Sequence, residues 1–139
     1  MLFTTLVTGT DPGGPRGLLF VDVATGARML PADPEKTILG AAWSPDGQTI
    51  AFVQCDWRQE EVGPLANCGL WLMARSGGDT RQVLAGLSDQ SLWPQWTPDG
   101  TRLLFTEFRS AVVWSVRTDG TDLRPVAWNV RDVQVVCQR

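Results

Sequence analysis

Apolar residues come along this chain in short runs of four to eight, separated by clusters of Gly, Pro, Asp and Ser. Residues 2–8 (Leu-Phe-Thr-Thr-Leu-Val-Thr) are rich in β-branched and aromatic side chains and read as a strand. The segments 18–24 and 27–30 follow as strands, turned at Thr25-Gly26. A linker, 31–36, carries Pro31 and Pro34, which bar a helix. Two fuller units come next. The first predicts strands at 38–43, 48–54, 69–75 and 80–84; the second at 92–96, 101–108, 111–117 and 121–126. A last alternating stretch, 132–137, reads as one more strand. No stretch keeps a helical period without a Gly or Pro interrupting it, so the class expected is all-β.

The two fuller units share a phrase. Ala-Ala-Trp-Ser-Pro-Asp-Gly-Gln-Thr-Ile-Ala-Phe-Val occupies 41–53, and Pro-Gln-Trp-Thr-Pro-Asp-Gly-Thr-Arg-Leu-Leu-Phe-Thr occupies 94–106. Trp43 aligns with Trp96, and Pro45, Asp46 and Gly47 align with Pro98, Asp99 and Gly100. Each triplet is a tight turn: Pro fixes φ, Asp bonds its own backbone, and Gly supplies positive φ. The third strands superpose as well: Leu19–Val23, Leu70–Ala74 and Val113–Arg117. The repeat is therefore threefold. Antiparallel four-stranded units joined by tight turns are the blades of a β-propeller. The blades expected are 2–30, 38–84 and 92–126, with 132–137 as a closing strand, all within a single region spanning 1–139.

Trp-Ser-Pro-Asp-Gly, then Ile-Ala-Phe, then Leu-Trp-Leu-Met, then Gly-Gly-Asp resembles the WD40-like (PD40) repeat of the TolB-type propellers, over nearly the whole stretch from Leu18 to Val126. The resemblance implies a propeller, typically of six blades, in a periplasmic or extracellular protein, and a non-catalytic binding scaffold. The same repeats also form the accessory propeller of some serine peptidases, which is the alternative reading. This chain departs in blade number. The first blade lacks its innermost strand, and 132–137 is a surplus strand of that kind. Closed rings usually hold about four to eight blades. The chain is therefore expected to be a fragment of a longer propeller, a homodimer completing a six-bladed ring, or an open three-bladed monomer.

Composition narrows the chemistry. The 139 residues carry a net charge of −3 and contain no histidine. An acidic balance argues against nucleic acid or an anionic membrane surface as the main partner. The absence of histidine removes Ser-His-Asp and Cys-His catalysis and His-ligated zinc. The start of the chain lacks the basic and long apolar regions of a signal peptide, and no stretch approaches 18 apolar residues. No catalytic residue, metal ligand or cofactor is expected, and the partner anticipated is a protein or peptide. A carboxylate cluster could hold calcium, but no contiguous loop motif is visible.

Three groups of residues remain as candidates. Cys55 ends one strand and Cys68 opens its neighbour, so they can face each other as a disulfide; otherwise they are two thiols. A bridge would place the chain in an oxidising compartment. Cys137 is left over. Asp46 and Asp99 resemble a paired-carboxylate site, but their turns give them a local structural task. Trp43, Trp71, Trp96 and Trp114 are repeat-equivalent and read as packing residues. Trp57, Trp93 and Trp128 are not repeat-equivalent. They fall with Arg58 and Arg131 at the end of the blades opposite the Pro-Asp-Gly turns, together with Asp56, Glu60, Glu61, Asp89 and Asp132. Trp and Arg favour interface hot spots, so this end is the expected binding face.

Overall fold

A computed structural model describes residues 2–8, 16–22, 24–29, 35–57, 64–89 and 91–128. Among these, all regular structure is strand: β1 (Leu2–Thr8), β2 (Arg16–Asp22), β3 (Gly26–Met29), β4 (Lys36–Trp43), β5 (Thr49–Asp56), β6 (Ala66–Ala74), β7 (Thr80–Leu87), β8 (Ser91–Trp96), β9 (Arg102–Glu107), β10 (Val112–Arg117) and β11 (Arg124–Trp128). They form three antiparallel meanders, β1-β2-β3, β4-β5-β6-β7 and β8-β9-β10-β11. Among the described residues, the first sheet has no strand beside β1 at the position held by β4 and β8 in the others. Arg58, Arg131, Cys137 and the closing strand expected at 132–137 lie outside the described residues.

The sheets stack face to face, and the period of two along β5 shows how. Ile50 and Phe52 join Leu18 and Met73 in a cluster between the first and second sheets, with Trp43 and Trp71 packed against it. Ala51 and Val53 point the other way. With Leu70, Leu72 and Val83 they meet Trp96, Leu103, Phe105 and Val116 of the third sheet, with Trp114 alongside. The middle sheet is buried on both faces, so Ile50-Ala51-Phe52-Val53 is a continuous apolar run rather than an alternating one. The inner strands make the joints: β4 packs on β8 and on β1 and β2. The Trp96 Nε1–H donates to the Ala42 carbonyl at 3.0 Å, pinning the third sheet to the second. The four repeat-equivalent tryptophans are thus packing residues.

The turns repeat in atomic detail. The Gly47 amide donates to Ser44 O at 2.9 Å, and Gly100 to Thr97 O at 2.8 Å; both glycines have positive φ, 68° and 71°. Asp46 Oδ1 accepts from the Gln48 amide at 3.0 Å and the Ser44 hydroxyl at 2.6 Å. Asp99 Oδ1 accepts from the Thr101 amide at 3.0 Å and the Thr97 hydroxyl at 2.6 Å. These bonds favour the ionised carboxylate. The Thr97 hydroxyl and the Thr101 donors pull Asp99 from 3.8 down to about 2, and the Ser44 and Gln48 bonds lower Asp46. Asp119 repeats the arrangement with the Thr121 hydroxyl and amide, and its pKa is lowered too.

A depressed carboxylate pKa in the folded state contributes stability that is present above the unfolded value and lost as pH falls through the folded one. The thermal midpoint is therefore expected to drop between about pH 4 and pH 2, as these aspartates take up protons. Asp99→Asn should flatten that acid limb, measured by circular dichroism melts at half-unit pH steps. An unchanged limb would assign the acid sensitivity to other carboxylates.

Candidate functional site

Antiparallel order sorts the connections onto two ends of the sheets. The turn end carries Ser44–Gln48 and Arg75–Asp79, joined by a bond from the Arg75 amide to Gln48 O at 2.9 Å. It also carries the turns at 97–101 and 118–121, joined from the Thr118 amide to Thr101 O at 3.2 Å. The opposite end carries the outer ends of β5, β6, β7, β9 and β11 and the start of β8. This is the expected binding face.

The strands reach further onto that face than the hydrophobic runs predict. β5 continues to Asp56 and β6 starts at Ala66, so the excursion begins and closes beyond both cysteines. The cause is local. The register shifts between Gln54 and Asp56, Asn67 takes a positive φ of 51°, and Cys55 is bonded to Cys68 with Cα atoms 4.0 Å apart. Both cysteines are 1% exposed. Around the bridge, Asp56 pairs with Lys36 and accepts from Asn67 Nδ2 at 2.6 Å. Asp89 Oδ2 accepts from the Leu65 amide at 3.2 Å. Asp56 and Asp89 therefore hold strand ends together. Among the described residues no three acidic or cysteine side chains gather as metal ligands.

The three unpaired-repeat tryptophans share the end but not one spot. Trp57 is half-buried just past β5, and its amide donates to Glu35 O at 2.7 Å. Trp93 lies in β8, at a bulge where the register shifts between Leu92 and Gln95. It has a positive φ of 48° and is 57% exposed. A bulky residue rarely adopts such a backbone unless its surroundings enforce it. Gly40 of β4, the repeat-equivalent residue one blade earlier, leaves the space in which Trp93 packs. A Cβ at Gly40 would come within 2.6 Å of Trp93 Cδ1 and 2.8 Å of its backbone nitrogen. Trp128 is also in a strand, because β11 starts late. Asp119 captures Thr121 and Asp122 takes a φ of 53°, which keeps 121–123 out of the ladder.

Cross-strand pairing gives the spacing. Ser91 faces Glu107, Glu107 faces Val112, and Val112 faces Trp128. The row runs from the inner to the outer strand of the third sheet, about 14 Å at roughly 4.8 Å per strand. Trp93 stands near its inner end and Trp128, 64% exposed, at its outer end. Phe108, 42% exposed, follows β9 between them and was not singled out by the sequence. Its exposure depends on where β9 stops, which the apolar run alone does not fix. The site is thus a row of exposed aromatics along one sheet end.

Comparison with solved structures recovers this architecture in whole propeller proteins. TolB from Acinetobacter baumannii superposes with a TM-score of 0.63 at 16% identity, over 89% of this chain and 29% of that one. The fold is that of the TolB-type β-propellers. An oligogalacturonate lyase in complex with manganese gives a TM-score of 0.60 at 20% identity, over 81% of this chain and 35% of its own. Kuenenia stuttgartiensis hydrazine synthase gives 0.60 at 16%, over 85% and 37%. In sequence, the uncharacterized peptidase YuxL of Bacillus subtilis is 32% identical over 88 residues, which is 61% of this chain. No family profile matches the chain. The TolB-like propeller described here spans 12% of that curated relative's length and about a third of each solved chain. Proteins named as enzymes stand among these neighbours, so the propeller fold by itself does not separate catalytic from non-catalytic roles.

Proposed function

We propose that this TolB-like propeller is a non-catalytic scaffold that binds a protein or peptide through the end of its third sheet. The observation that carries the reading is the exposure of Trp93, Phe108 and Trp128 on one rigid sheet end. Large aromatics held by a packed framework give up little entropy on binding and dominate interface energies. Trp93 is the anchor, because it stands on the bulge in β8, packed closely against Gly40 of the neighbouring sheet. Peptides selected from a random displayed library on the wild-type protein are expected to bind Trp93→Ala about thirtyfold more weakly. Equal affinity, with circular dichroism unchanged, removes this end from the function.

The three-stranded first sheet, with no strand beside β1 among the described residues, supports a further part of the proposal. The strand expected at 132–137 would supply the missing inner strand of a second copy, and two copies would complete a six-bladed ring. Light scattering is expected to find a stable species at twice 15.2 kDa. A monomer at every concentration rejects this assembly. The alternative role, an accessory propeller of a larger enzyme, is favoured by the likeness to a protein named as a peptidase. A Gly-x-Ser-x-Gly segment encoded downstream would decide for it. The disulfide supports a periplasmic or extracellular setting for either role.

A further inference from the structure

On the turn end, away from the exposed aromatics, a groove of about 720 Å³ runs between the second and third sheets. That volume falls within the range of about 300–1,000 Å³ typical of ligand sites. Its floor is apolar, with Leu72 and Trp96 both nearly buried. Its walls are the two Pro-Asp-Gly turns, which contribute Pro45 and Pro98. The groove has defined ends. At one, the turns meet, since a Cβ at Gly100 would touch Pro45 Cδ at 3.8 Å. Toward the outer strands, the β10–β11 turn closes on β7, where a Cβ at Gly120 would lie 2.7 Å from Val83 O. Both walls are rigid, because each turn is tied by its own aspartate.

The rim is strongly one-sided in charge. Asp46, Asp79 and Asp99 line it against a single guanidinium, Arg81. Asp46 and Asp99 spend Oδ1 on the turn amides and still carry a full negative charge. Phosphate-bearing partners are repelled by such a rim, whereas ammonium and guanidinium groups are attracted to it. An apolar floor beneath acidic walls calls for a ligand that alternates the two characters. An extended peptide does this, since successive side chains point to opposite faces.

We propose that this groove binds an extended peptide segment of a partner protein, with apolar side chains over Leu72 and Trp96 and lysine or arginine side chains on the rim of Asp46, Asp79 and Asp99. The site is independent of the aromatic end, and the two can fail separately. The probe is a fluorescein-labelled hexapeptide of alternating lysine and valine, followed by anisotropy at low salt. Asp79→Asn is expected to weaken binding about threefold, and Arg81→Glu to strengthen it by a similar factor, the size of an exposed charge interaction. Both residues are exposed, so the fold should be kept. Trp93→Ala should leave the affinity unchanged, and a glutamate–valine hexapeptide should not bind. The proposal is overturned by no binding at millimolar peptide, by equal affinity in both charge variants, by equal binding of the acidic peptide, or by loss of binding in Trp93→Ala.

Discussion

Phe105→Ala is expected to cost about 3–5 kcal/mol of stability, the range for a large aromatic removed from a packed core. Phe105 is 4% exposed and sits where the third sheet meets the second, opposite Trp114 in the ladder. The loss would be a large share of the 5–15 kcal/mol that holds a typical domain together. Its distribution is the informative part. Blades contact only their neighbours, so repeat stability is approximately a sum of intrinsic and nearest-neighbour terms. The second sheet keeps its other joint, through Ile50 and Phe52 to Leu18, and its disulfide. Hydrogen exchange followed by mass spectrometry should therefore show β8–β11 losing protection while β5 and β6 keep most of theirs. Phe52→Ala, the repeat-equivalent change, should shift the loss toward the first two sheets. A uniform loss in both variants would show that the three sheets unfold as one unit.

The blade architecture was legible because it rests on local signals. The turns at 44–47 and 97–100 carry Pro, Asp and Gly at fixed offsets, with the Gly amides and the Asp carboxylates bonded within the turn. The cysteine pairing was legible as one of two outcomes, since both residues flank a single hairpin. Local signals fail where a neighbouring blade decides. Nothing near Trp93 in sequence announces its positive φ; Gly40, fifty-three residues earlier and one repeat before, makes room for it. That offset is the spacing of Trp43 and Trp96, so the repeat alignment held the signal once blades were known to stack. The groove was hidden for the same reason. Asp46 and Asp99 are bonded within their own turns, yet the space between those turns exists only after the second and third sheets pack. Strand ends were also obscured, because bulges at Asn67 and Trp93 extend pairing past the point where apolar alternation stops.

Removing the Cys55–Cys68 bridge is expected to lower stability by about 3 kcal/mol, the loop-closure value for a separation of 13 residues. For a chain of this size that corresponds to a fall of roughly 10 °C in the thermal midpoint. The comparison should use the paired variant Cys55→Ala with Cys68→Ala, together with wild type in dithiothreitol. Each isolates a different contribution. The alanines also remove two sulfurs that are 1% exposed in the second sheet, whereas reduction leaves those atoms in place. A larger drop in the variant than in the reduced protein measures packing, and the common part measures the constraint on the unfolded chain. The hairpin has noncovalent ties at the same level, from Asp56 to Lys36 and Asn67 and from Asp89 to the Leu65 amide. If reduction leaves the midpoint unchanged, those ties and the ladder hold the strand ends unaided. If the midpoint falls as expected, the covalent bond is what holds the ends of β5 and β6 together where the chain leaves the second sheet between them.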